Sequence, residues 1–106
     1  QIKQKLGISG VQSDICGWKG DGAQIDLLID RRDQTINLCE MKFSQSEFEI
    51  TKQYDERLRE RVEIFRSATK TRKALHQTFI TTYGLKKNMY SGNVQSEVVL
   101  DDLFTE

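Results

Sequence analysis

With 106 residues, the chain is long enough for one domain around a single core and too short for two. It is 37% hydrophobic and 30% charged, no apolar run approaches the roughly 18 residues of a membrane span, and no signal peptide is visible, so a membrane partner is not expected. Formal net charge is zero, which excludes a uniformly basic or acidic molecule.

In chain order, residues 1–6 read as the tail of a helix ended by Gly7. Val11 to Trp18 alternates loosely as a first strand, with Asp14, Cys16 and Trp18 on one side. Gly17, Gly20 and Gly22 around Lys19 and Asp21 supply the turn of a hairpin to the next strand. Gly22 to Asp30 and Ile36 to Lys42 are two apolar segments joined by Arg31-Arg32-Asp33-Gln34-Thr35, a second hairpin. Ser46-Glu47-Phe48-Glu49 matches a capping box, and Tyr54, Leu58, Val62 and Phe65 follow at helical spacing, which predicts a helix over 46–69. A basic connection, Thr69 to Ala74, leads to a strand at 78–83 closed by Gly84. A last strand is predicted at Val94 to Leu100, then a terminal turn or helix at Asp101 to Phe104. This order of helix remnant, three strands, helix, strand, strand is an α/β sandwich with a mixed sheet. The last strand would leave an exposed edge near Val94 to Leu100.

Charge inside the second hairpin stands out, because charged groups are rarely buried without a partner or a metal. Asp33-Gln34 is none of the dipeptides that favour a two-residue hairpin turn, so a longer connection is expected, with Ile36 paired to Asp30. That register puts Asp26 opposite Glu40, with Lys42 on the same face. Elsewhere charge is polarised. Residues 52–87 hold ten Lys and Arg against four acids, while the remainder holds six basic and twelve acidic residues. A basic surface for a polyanion beside an acidic centre fits this, as does a solvated helix of mixed charge. Asp30 reads as a turn residue, Asp14 as solvent-facing, and Trp18 as core or edge packing. His76 lacks the surroundings of a Ser-His-Asp mechanism. Cys16 and Cys39, in strand-like segments, are expected to be reduced, buried thiols of a cytoplasmic protein, and are too few for a structural zinc site.

With Gly-x-x-Ile-Asp26-Leu-Leu on one strand and Glu40-x-Lys42 fourteen residues on, followed by a helix, the chain resembles the PD-(D/E)XK nuclease superfamily, which includes restriction endonucleases and Holliday-junction resolvases. It more closely resembles the nuclease-like domain at the C-terminal end of certain prokaryotic AAA-type ATPases, where the chain typically ends in a segment like Leu100-Asp-Asp-Leu-Phe104. The resemblance covers about residues 11–104. It implies a restriction-endonuclease-like core, a mixed sheet of a three-strand meander and further strands flanked by helices. It also implies a fragment of a larger protein with an N-terminal ATPase domain, as a start at Gln1 without Met suggests.

The same resemblance implies a metal-dependent nuclease hydrolysing phosphodiester bonds of DNA. Asp26, Glu40 and Lys42 would be catalytic, and Asp26, Glu40 and the Met41 carbonyl would hold Mg²⁺ or Mn²⁺ through hard oxygen ligands. The metal would lower the pKa of a bound water and Lys42 would orient it. Basic residues on the long helix and the 70–73 segment would contact phosphates, while Lys52, Arg59 and Arg66 read first as solvated and only second as DNA-facing. Three departures weaken the implied metal site, and the first two favour the alternative, a catalytically degenerate fold that binds nucleic acid or protein. Gln24 stands where relatives carry a Glu, residues 1–13 contain no acid, and Gln53 is followed directly by Tyr54, so that the Gln-x-x-x-Tyr element is unmet.

Overall fold

The computed structural model describes residues 13–20 and 22–100. The readings of a helix tail at 1–6 and a terminal turn at 101–104 lie outside them. Three strands come first: β1 (Ser13–Gly20), β2 (Ala23–Arg31) and β3 (Thr35–Lys42). They are followed by α1 (Lys52–Thr69), β4 (Ala74–Thr81), a 3₁₀ turn (Ser91–Asn93) and β5 (Ser96–Val99). The strands form one mixed sheet in the order β1-β2-β3-β4-β5. The first three make an antiparallel meander, and β4 and β5 add in parallel. Helix α1 is therefore the crossover between two adjacent parallel strands, as a parallel pair requires. No helix among the described residues is long and apolar enough to cross a membrane.

The second hairpin has the expected register. Asp30 pairs with Ile36 and Leu27 with Cys39. Gln34 closes the turn at φ 69, a left-handed conformation that follows naturally in a three-residue hairpin loop. Arg31 braces it by donating from Nε to Asp33 at 3.0 Å. That guanidinium holds the Asp33 carboxyl below its ordinary range.

The helix begins six residues later than the capping-box pattern suggests. Phe48 forms a parallel bridge to Leu85, donating from its amide to the Gly84 carbonyl at 2.9 Å and accepting from the Lys86 amide at 2.8 Å. Ile50 is fully buried. These tertiary contacts hold residues 48–50 out of the helix, and Thr51 becomes its cap, accepting the Tyr54 amide at 3.2 Å. At the other end Lys70 stops α1 at φ 56, its amide donating to the Arg66 carbonyl. Strand β4 starts four residues before its β-branched run, because it pairs with β3 along its whole length, from Thr35 opposite Ala74 to Lys42 opposite Thr81.

Alternation along the strands makes two apolar faces. Toward α1, Ile25, Leu28, Ile36 and Leu38 are buried with Phe65, and Trp18 meets the Phe65 ring edge-on at 5.1 Å. Ile50, Leu58, Phe79 and Leu85 continue this layer. On the opposite face Ile29, Cys39, Ile80 and Val98 are buried together, with Leu27 and Met41 against them. Asn37, also fully buried, has its polar atoms matched: it donates to Thr78 Oγ1 at 2.9 Å and accepts from Arg31 at 3.2 Å. Of the two cysteines, only Cys39 is buried. Cys16 is exposed, since β1 is an edge strand that the described elements leave open on that side.

Candidate functional site

Glu40 and Lys42 are two residues apart on β3 and share the face that carries Ile36 and Leu38, so both project toward α1. The helix answers Glu40 with two donors. Tyr54 Oη donates to Glu40 Oε2 at 2.9 Å, and Arg61 Nη1 reaches the same oxygen at 2.9 Å. Both members of the ion pair are well shielded, the Arg61 side chain being 13% and that of Glu40 16% exposed. Burial first, then the Glu40 charge and hydrogen bond, push the Tyr54 phenol up, so it remains a protonated donor. Lys42 lies against aromatic faces, its Nζ 5.1 Å from the Tyr54 ring centre and 5.7 Å from that of Phe48. It makes no ion pair among the described residues.

These groups line a cavity of about 340 Å³ between β3 and α1, together with Gln24, Arg57 and Glu60. Its charged rim holds three cations, Lys42, Arg57 and Arg61, against two carboxylates, Glu40 and Glu60. Arg61 is incompletely used: its Nε and Nη2 are buried without a partner.

Asp26 does not join them. Between the pairs Cys16–Leu28 and Trp18–Ile25, β1 advances two residues and β2 three, so β2 carries a bulge at Asp26 and Leu27 opposite Gly17. The alternation is reset there. Ile25 and Leu28, three residues apart, both pack on the helix side, and Leu27 packs on the other. The expectation that Asp26 would share the face of Glu40 assumed an unbroken strand. Asp26 is instead exposed, accepts from Gln24 Nε2 at 2.9 Å, and borders a separate shallow cleft with Gly17, Trp18 and Lys19. Gly17 is part of the reason such a bulge fits: a Cβ there would lie 3.3 Å from the Asp26 carbonyl oxygen. Met41 sits in the β3–β4 ladder opposite Ile80, its side chain on the far face. Among the described residues, no three His, Cys, Asp or Glu side chains gather as a group able to hold a metal ion.

No family model, curated protein or solved structure matches the chain.

Other residues singled out in the sequence have plain structural places. Asp30 accepts from Lys73 Nζ at 2.6 Å and anchors the α1–β4 connection. Arg66 donates to the Thr71 and Lys73 carbonyls and Arg59 pairs with Asp55, while Lys52 is exposed. Sequence reasoning overlooked Tyr54 and Arg61 as partners of Glu40. A signal for Arg61 was present: positions 54, 58, 61 and 65 are one core-facing stripe, and a charge on such a stripe calls for a buried counter-charge.

Proposed function

We propose that the chain is a catalytically degenerate PD-(D/E)XK-like domain that binds the phosphates of DNA at the β3–α1 cavity, within a larger cytoplasmic protein that also carries an ATPase domain. The observation that carries this reading is the Glu40–Arg61 pair, with both side chains shielded and the same carboxylate oxygen also taken by Tyr54. The one acid of the β3 motif is thus already neutralised by a cation of the chain itself, while Lys42 stands unpaired beside it. Such a site attracts a phosphate more readily than a divalent cation. An antiparallel three-strand meander, then a helix, then a strand parallel to the third supports the restriction-endonuclease-like core that the sequence resemblance implies.

A second reading, hydrolysis of the phosphodiester with Mg²⁺ or Mn²⁺, is favoured by the placement of Glu40 and Lys42 on one face. The donor set as arranged does not fit such an ion. Asp26 is off the cavity and Glu40 is engaged, so a hard cation would find too few free oxygens. The test is a DNA mobility shift in EDTA followed by a plasmid-nicking assay in Mn²⁺. A shift in EDTA with no nicking is expected. Nicking that disappears in Glu40→Ala would overturn the binding reading in favour of the hydrolytic one. Absence of any shift would remove DNA from the proposal.

A further inference from the structure

Strands β3 and β4 run parallel and in step, Lys42 opposite Thr81, so both stop at the same edge of the sheet. The segments leaving them stay joined through the Phe48–Leu85 bridge and the hydrogen bonds of Phe48 with Gly84 and Lys86. Phe43, the first residue beyond β3, is 64% exposed, and Tyr83, the second beyond β4, is 52% exposed. Met89, on the loop that follows, is 80% exposed. Scattered exposed apolar residues are ordinary. Here, however, three of the four large hydrophobic side chains exposed among the described residues leave from this one end, the fourth being Ile15 on edge strand β1. Lys86 and Lys87, both exposed, follow Tyr83 closely, and Gly84 at φ 92 makes the bend between them. Glu47 and Glu49 are the acids on the facing connection. Exposed rings beside paired lysines, at the carboxyl ends of parallel strands where ligands of open sheets gather, match a strand of nucleic acid with unpaired bases.

Resting on the nucleic-acid reading above, we propose that this end of the sheet is a platform for single-stranded nucleic acid. Phe43 and Tyr83 stack on bases, and Lys86 and Lys87 hold the backbone that runs on toward Lys42. Every base offers a π-face, so the platform takes single strands of any sequence, while bases within a duplex are already stacked on one another and are out of reach.

The experiment is fluorescence anisotropy in EDTA with labelled oligo-dT and with a blunt duplex of equal length, using the wild type, Phe43→Ala, Tyr83→Ala and the Lys86→Ala/Lys87→Ala pair. Both aromatic side chains are exposed, so the variants retain the fold, which circular dichroism checks. Each aromatic variant is expected to bind oligo-dT about five- to a hundred-fold more weakly and to leave duplex binding unchanged. Phe43→Trp is expected to restore binding. Oligo-dT affinity that stays within about two-fold in both aromatic variants, while the lysine pair weakens it, overturns the stacking proposal and leaves the phosphate-binding reading intact. Equal losses for duplex and single strand overturn it as well. If neither nucleic acid binds the wild type, both readings fall and the patch is reassigned to a protein contact.

Discussion

A carboxylate shielded from water needs its charge answered, and at Glu40 the answer comes from α1 in two parts: the Arg61 guanidinium and the Tyr54 phenol. Removing one partner of a fully buried pair costs about 3–5 kcal/mol. Both side chains here keep some contact with water, 13% and 16%, so the smaller range of a charged hydrogen bond applies. Arg61→Ala is expected to lower stability by about 1–3 kcal/mol. Glu40→Gln removes the charge that Arg61 answers, so the costs of the two changes should not add. A denaturant-based double-mutant cycle reads a coupling of about 0.5–3 kcal/mol, and strict additivity would mean that the pair is not energetically linked. Cys39 gives a prediction in pH. Burial raises its thiol from 9.0 to about 12. The folded state keeps that proton where the unfolded state has lost it. The contribution is therefore complete below about pH 9 and is lost as pH rises toward 12. Urea midpoints of the wild type should fall more steeply over that alkaline window than those of Cys39→Ala. At neutral pH a thiol reagent should label the exposed Cys16 and spare Cys39 until the chain unfolds. The residue that resisted reading from sequence was Asp26. Alternation predicts a face only while a strand stays regular, and nothing in Gln24-Ile25-Asp26-Leu27 announces the extra residue that turns Ile25 rather than Asp26 toward the helix.

The elements themselves were legible where a local rule and the tertiary structure agreed. The β2–β3 register followed from a turn sequence unsuited to a two-residue loop, and the stripe of Tyr54, Leu58, Val62 and Phe65 faces the sheet as its spacing implied. Disagreement came at the start of α1, where two capping signals compete. Ser46 has the better motif, but Phe48 and Ile50 gain more from pairing with the segment after β4 and from burial than a further helical turn would return. The consequence can be measured. Thr51→Ala is expected to cost about 1 kcal/mol, because its hydroxyl accepts the Tyr54 amide. Ser46→Ala should stay within about 0.5 kcal/mol, since its hydroxyl contacts only the adjacent Glu47 carbonyl at 3.5 Å. Thermal or urea unfolding of the two variants separates them. Equal losses would restore the capping box as the true start of the helix. The length of β4 was hidden for a similar reason: Ala74-Leu75-His76-Gln77 has no marked strand character and is extended because the complete β3 edge is there to pair with it.

At the scale of the molecule, a formal charge of zero means that attraction to a polyanion must come from where the cations lie. The parallel pairing of β3 and β4 puts two groups of them at opposite ends of these strands. Lys42, Arg57, Lys86 and Lys87 belong to the cavity and to the carboxyl ends of these strands. Arg72 and Lys73 sit in the connection that enters β4 at its other end, and Lys73 is already bound to Asp30. If the first four each neutralise one phosphate of a single strand, log affinity should fall with log salt at a slope of about −2.8. That is about a fifty-fold loss from roughly 50 to 200 mM salt. Replacing Lys86 and Lys87 with Ala should flatten the slope by about 1.4. Arg72→Ala changes the net charge as much as either single lysine change, yet it should leave the slope where it was. A slope that responded equally to Arg72 would mean that the whole charge of the domain, rather than the edge carrying Lys42, draws the nucleic acid in.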